Sequence, residues 1–217
     1  MEQFGKKIME KYGKASSMNA LTPLLPALHT LEPLGLSPTA VQTWSASANP
    51  EQAARLAQFL EAEFRALTRA YADSVDHAYL RSDAFRANVV QAVRAAEVAE
   101  SEAKLRFIAR ALAGCLLNFP PPALDKFQTL RIIGELSDRE THVFVGLFDL
   151  LDPIEPFEDR IPVGTSATVA SLTRQEFAAA LLGLGQLGVL VREGESWKLT
   201  ALARQVATLC RIGGGNL

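Results

Sequence analysis

LTRQEFAAALLGLGQLGVLVREGESWKLTALARQVATLCR, residues 172–211, decides how the C-terminal end of this chain is built. Thr173-Arg174-Gln175-Glu176 has the form of a capping box, in which the Thr173 hydroxyl accepts from the Glu176 amide and the Glu176 carboxylate reaches back to the Thr173 amide. Leu172 and Phe177 stand at the spacing of a hydrophobic staple around it. Phe177, Leu181, Leu184 and Leu187 follow at helical steps, and Gly188 suits the left-handed residue that closes a helix. Residues 189–193 and 197–199 are two short β-rich runs around a turn at Gly194-Glu195-Ser196. Thr200 then caps a last helix with Leu202, Val206 and Leu209 on one face.

The same stretch contains Gly183-Leu184-Gly185-Gln186-Leu187-Gly188, which spells GxGxxG. A dinucleotide site needs a strand before that string, a helix after it, and an acid about 20 residues further on. Here a helical pattern precedes it, a β pattern follows, and no Asp or Glu occurs after Glu195. The glycines are expected at a close helix contact or a fraying helix end, and no cofactor is expected.

Helix, short hairpin, helix is the layout of a winged-helix domain. LGQLGVLVREGESWKLTALARQVA, residues 184–207, resembles the end of MarR- or PadR-type winged helices, where a helix ends at a Gly, a hairpin forms the wing, and Leu-Thr restarts a helix. Two earlier stretches, SEAKLRFIARALAGCLLN (101–118) and ELSDRETHVFVGLFDLLDP (135–153), extend the resemblance. Together they resemble a group of bacterial and phage proteins with a helical region, a Leu-Ser/Thr-x-x-Glu/His helix ending in Asp-Pro, and a terminal winged helix. Some of that group are similar to the Abi-alpha type associated with phage defence. The resemblance implies an architecture and carries over no catalytic residue.

At 217 residues the chain holds one or two domains and buries a real core. A 48% apolar content is ordinary for a globular protein, and a net charge of −2 gives no global basic signal for nucleic acid. Cys115 and Cys210 each sit in an apolar helical pattern, which predicts two buried thiols in a reducing compartment. No apolar run approaches the 18 or so residues of a membrane span, and no signal-peptide pattern opens the chain, so the expected location is the cytoplasm.

Residues 1–14 have the pattern of a short basic helix, with Phe4, Ile8 and Tyr12 on one face, weakened by Gly5 and Gly13. Such a segment is expected as a docked or frayed terminus rather than a membrane anchor. Pro23, Pro26, Pro33 and Pro38 break up a leucine-rich segment in residues 16–49. Asn49-Pro50 starts the first long helix, with Leu56, Leu60, Phe64, Leu67, Tyr71 and Val75 at three- and four-residue steps. A second helix begins near Ser82 with Phe85, Val89, Val93 and Ala96. It either runs straight on or bends near Ala99-Glu100-Ser101 into Leu105, Ile108, Leu112 and Leu116. If continuous to Asn118 it would be about 55 Å long at roughly 1.5 Å per residue. Its apolar girth, including Phe107 and Ala111, asks for neighbours on several sides, either residues 21–36 or a second copy of the chain. Pro120-Pro121-Pro122 marks a boundary, followed by a helix carrying Leu124, Phe127, Leu130 and Ile133. Ser137-Asp138-Arg139-Glu140 is a second capping box, opening what should be the most buried helix, which Asp152-Pro153 ends. The loop after it has room for one short strand near residues 161–163.

The expected architecture is therefore mainly α: a proline-broken N-terminal segment (1–48), a long-helix bundle (49–119), and a winged-helix-like domain with one short β-hairpin (120–217). Asp73, Asp76, His77, Glu97 and Glu100 could be assembled into a metal site only if two helices met there. The chain lacks the paired Glu-x-x-His of di-iron bundles, so a solvated polar face is expected. His142 is expected as a hydrogen-bonded core histidine. With no GxSxG elbow, P-loop, CxxC or HExxH, no enzyme activity is expected. Macromolecule binding would fall to Arg174, Gln175, Gln186, Arg192 and Lys198. The exposed face of the 173–187 helix, read as Arg174, Gln175, Ala178, Gly183 and Gln186, carries one cation, and the wing adds Glu193 and Glu195 to its Arg and Lys. From Asp125 onward nine Lys/Arg stand against twelve Asp/Glu, giving −3. The expectation is a non-enzymatic assembly protein that forms a homodimer through its helical region (82–118) and meets a protein partner with its winged helix, with a winged-helix DNA-binding regulator as the alternative and no membrane contact.

Overall fold

The computed structural model describes residues 49–118, 125–150, 160–162, 169 and 171–212. The expectations for residues 1–48, for Pro120-Pro121-Pro122 and for Asp152-Pro153 lie outside the described residues. Among those described there are eight helices and a small antiparallel sheet. No helix of them is long and apolar enough to cross a membrane.

Helix α1, Pro50–Tyr71, starts where Asn49 Oδ1 accepts from the Gln52 amide (3.2 Å) and Pro50 takes the first helical position. Its Leu56, Leu60, Phe64 and Leu67 are buried. A 3-10 turn, Ala72–Ser74, leads to α2, His77–Leu80, whose N-cap Asp76 accepts from the Tyr79 amide at 2.8 Å. Helix α3, Asp83–Glu97, begins at Ser82, and α4, Glu102–Gly114, begins at Ser101. The helical run from Ser82 is therefore not continuous. Ser101 adopts an extended backbone and its hydroxyl accepts from the Lys104 amide (3.1 Å), offering the chain a cap in place of another turn. Gln52 Nε2 donates to the Ala99 carbonyl freed by the break (3.2 Å). Helices α3 and α4 then pack on one another instead of forming a rod.

Helix α5, Lys126–Glu135, and α6, Asp138–Leu150, follow, and the predicted box at the start of α6 is present: the Ser137 amide donates to Glu140 Oε2 (2.7 Å) and the Glu140 amide to Ser137 Oγ (3.2 Å). Next come β1, Arg160–Pro162, α7, Arg174–Gln186, β2, Leu190–Glu193, β3, Ser196–Leu199, and α8, Ala201–Cys210. The sheet order is β1-β3-β2, all antiparallel. The hairpin stands where the sequence put it. The short strand expected near 161–163 is observed at Arg160–Pro162, and it widens the hairpin to three strands.

The most buried helix is α4, not α6. Helices α1, α3, α5, α6 and α8 all contact α4, and Leu105, Ile108, Ala111 and Leu112 are buried. Phe107 is covered within the chain, edge-on to Phe144 of α6 (centroids 6.4 Å apart, 73° between planes), so the neighbours its girth required come from the same polypeptide. Two apolar expectations are corrected: Phe127 is exposed, and so is His142, which lies on the outer side of α6 while Val143, Phe144 and Leu147 take the inner side. A 13-residue helix cannot turn every side inward when a neighbour covers only part of it.

Lys104 is the exception inside the core, 3% exposed. Its ammonium donates to the Ile133 and Leu136 carbonyls at the end of α5 and to Thr141 Oγ1 of α6 (3.5 Å), tying three helices at one point. Burial pushes its pKa down to about 8, against the opposing pull of Asp138, Cys210 and Glu140. Helix α8 returns to α4 and α5, and at Gly114 its backbone is so close that a Cβ would lie 2.0 Å from the Leu209 carbonyl oxygen. Residues from Ala53 to Cys210 thus share one core.

Candidate interaction surface

Helix α7 is fixed at its start by the predicted capping box. The Glu176 amide donates to Thr173 Oγ1 (3.3 Å) and the Thr173 amide to Glu176 Oε2 (3.0 Å). The Thr173 amide, and then its hydroxyl donating to the same Oε2 at 2.8 Å, with Arg139 of α6 at 3.2 Å beyond them, hold the Glu176 carboxyl below its usual range. Phe177, Ala180, Leu181 and Leu184 face the core.

The GxGxxG glycines are packing and capping positions. A Cβ on Gly183 would lie 1.7 Å from Glu140 Oε1, the carboxylate already serving the α6 box, and one on Gly185 would lie 2.8 Å from Trp197 Cζ3. Gly188 takes φ +73°, the left-handed conformation that ends the helix. A helix precedes the string and a strand follows it, the reverse of a dinucleotide site.

The outer face of α7 carries Arg174, Gln175, Ala178, Ala179, Leu182 and Gln186, all exposed. Leu182 is 56% exposed. Gly183, expected on this face, is instead half-buried against Glu140. In the hairpin the register pairs Arg192 with Trp197 and Val191 with Lys198. Side chains of adjacent residues in a strand point to opposite faces, so Arg192 shares the Trp197 face while Lys198 shares the other with Val191 and Glu193. Lys198 pairs with Glu193 at 3.7 Å, and Arg192 Nε donates to the Gly194 carbonyl at 3.2 Å. The five residues singled out from sequence therefore occupy four places: the start of α7 (Arg174, Gln175), its end (Gln186), and each of the two opposite faces of the ribbon (Arg192 on one, Lys198 on the other).

Sequence reasoning passed over Leu182 and Val191, the exposed apolar members of this surface. The signal was the Leu181-Leu182 pair: in a helix whose inward residues are Phe177, Leu181 and Leu184, only one of two adjacent leucines turns inward. Lys104 was also missed, although its spacing to Ile108 and Ala111 places it on the buried side.

Among the described residues no group of three or more His, Cys, Asp or Glu is placed to hold a metal. Asp73 and His77 are exposed, and Asp76 is occupied as the α2 cap. Cys115 and Cys210 are buried free thiols; burial pushes Cys115 up to about 12 and raises Cys210 as well. Compared with known proteins, the chain matches no family model, no curated protein and no solved structure.

Proposed function

We propose that this protein is a non-enzymatic assembly protein in which α7 and the hairpin form a winged-helix contact module, and that the module pairs with a second copy of the chain. The observation that carries this reading is the outer face of α7, where Ala178, Ala179 and Leu182 lie between Arg174 and Gln186 with a single cation at one end. Phosphate binding draws on several converging Lys and Arg side chains. Here Arg192 and Lys198 point to opposite sides of the ribbon and Lys198 already has a carboxylate partner.

Small residues beside one exposed leucine let two helices approach closely. Across a two-fold axis with antiparallel α7 helices, the Arg174 side chains fall at opposite ends, about 18 Å apart for a 13-residue helix at roughly 1.5 Å per residue. That separation exceeds the screening length of about 8 Å at physiological salt, so the pairing carries little like-charge penalty. The winged-helix assignment draws support from the helix ahead of the hairpin, the β1-β3-β2 order and the packing of α6 on α7. Residues 101–118, 135–153 and 184–207 resemble a group of bacterial and phage proteins, some of them similar to the Abi-alpha type, and on that resemblance phage defence is the setting we propose.

Sedimentation at tens of micromolar tests the pairing. A dimer is expected for the wild-type chain and a monomer for Leu182→Glu, a change at an exposed position that leaves the fold within about 0.5 kcal/mol of wild type. A wild-type monomer overturns the pairing. A sub-micromolar, sequence-selective, salt-dependent duplex complex that weakens on Arg174→Ala and Arg192→Ala overturns the protein-contact reading and makes the chain a DNA-binding regulator.

A further inference from the structure

Between α4 and α6, away from the hairpin, lies an open cleft of about 300 Å³. Its apolar wall is Phe107 and Val145. Its charged wall is Lys104, Arg106 and Arg110 against one carboxylate, Asp138. The three cations are not equivalent. Lys104 is nearly enclosed, with its three N–H groups aimed at Ile133 O, Leu136 O and Thr141 Oγ1, and among the charges opposing its burial Asp138 acts on it most. This ammonium contributes field to the cleft but no free donor, and it is not placed to attack a carbonyl.

The two arginines are differently held. Arg106 is 62% exposed; its guanidinium lies over the Phe59 ring of α1 at 4.8 Å and meets Glu102 one turn away at 3.5 Å, surface contacts of the kind worth little. Arg110 meets Glu63 at 3.4 Å, but Glu63 also binds Arg211, so one carboxylate is divided between two guanidinium groups. Once Lys104 is set against Asp138, the cleft retains an excess of positive charge carried by groups able to fork onto a carboxylate.

A third group points the same way. Thr141 is 6% exposed and lines the cleft. Its oxygen accepts from Lys104, and among the described residues its own O–H has no acceptor. A hydroxyl polarised by an ammonium behind it and lacking an acceptor is a donor suited to an anion. The volume lies at the small end of ligand pockets and suits a small molecule better than a helix. We propose that this cleft binds a small monocarboxylate with an apolar body, the carboxylate meeting Arg106, Arg110 and the Thr141 hydroxyl and the body lying on Phe107 and Val145.

The test titrates the full chain with hexanoate, its neutral counterpart hexanamide, and acetate, by calorimetry or ligand-observed NMR. Saturable hexanoate binding is expected, with hexanamide weaker by about tenfold or more for loss of the charge-assisted bonds and acetate weaker by a similar factor for loss of the apolar body. Ala103→Trp, which fills the cleft from an exposed position on its rim, and the double variant R106Q/R110Q should each lower hexanoate affinity by about tenfold or more with unchanged melting temperature. Hexanoate and hexanamide binding alike overturns the proposal, as does acetate matching hexanoate, hexanoate binding that survives both variants, or no hexanoate binding at roughly 10 mM. The comparison of the three ligands on the wild-type chain decides the matter even if a variant fails to fold.

Discussion

Replacing Gly114 by alanine should cost this protein more than an ordinary core substitution, although the same change in most helices is favourable. In a helix interior, glycine to alanine gains about 0.5–1 kcal/mol from backbone entropy and shielding. At Gly114 the added Cβ would lie 2.0 Å from Leu209 O, 2.9 Å from Leu209 C and 3.2 Å from Leu209 Cα, where ordinary contact begins at 3.4 Å. All three are backbone atoms inside α8, so no rotamer change relieves the clash. Helix α8 has to retreat from α4 by roughly 1.4 Å, the shortfall from ordinary contact. That movement thins the packing around Val206, Leu209 and Cys210, each fully buried.

Overpacking of this kind costs about 1–3 kcal/mol and occasionally more. With the helix-propensity gain set against the upper part of that range, the net loss is about 2 kcal/mol. For a chain of this size that is a fall in melting temperature of about 4–8 °C. Thermal and urea denaturation followed by circular dichroism measure it. Two controls isolate the cause. Gly134→Ala meets only the Ala95 methyl at 3.1 Å and should be mild. Adding Leu209→Ala to Gly114→Ala should not rescue the loss, because the obstacle is the carbonyl and not the leucine side chain. A Gly114→Ala protein as stable as wild type, or a rescue by Leu209→Ala, would refute the close approach of α8 to α4.

Gly185→Ala should push the Trp197 ring from its seat, lowering stability by about 1–2 kcal/mol and shifting tryptophan emission. Lys104 makes stability rise with pH: its folded pKa of about 8 lies below its unfolded value, so between pH 8 and 10.5 the unfolded chain holds the extra proton. The raised thiols of Cys115 and Cys210 act in the opposite direction above about pH 9, so the urea midpoint should climb between pH 8 and 9 and then fall, and Lys104→Met should remove the climb. A midpoint that is flat from pH 7.5 to 9 in the wild type counts against the buried ammonium. Both thiols should resist a disulfide reagent in the native protein and react on unfolding; rapid native labelling of either would contradict their burial.

What was legible in the chain was whatever is encoded within a few residues. Asn49, Ser82, Ser137, Thr173 and Thr200 each mark a helix start through a hydrogen bond spanning three positions, and each was identified from its own neighbourhood. Gly188 and Gly194 have positive φ where a helix ends and a hairpin turns, again a local requirement. The break between α3 and α4 was legible only as one of two options, because nothing between Ser82 and Ala113 forbids a helix. Its resolution lies in Ser101 capping α4 and Gln52 of α1 taking the Ala99 carbonyl, a contact across 47 positions. The same limit explains the surface. Periodicity asks for a neighbour over Phe107 and offers residues 21–36 or a second copy, but Phe144, 37 positions along the same chain, covers it. It placed His142 inside a helix that is apolar by composition but covered on one side only. Arg192 and Lys198 looked like one cationic pair until the register of β2 on β3 put them on opposite faces. A register shift of one residue would reverse that outcome, and what pins it is the two-residue turn Gly194-Glu195, closed by the Glu193–Ser196 pair with Gly194 at φ +63°. Which side of the ribbon is buried is decided by the Trp197 ring packed against Gly185 of α7, a contact that no window of sequence confined to the hairpin contains.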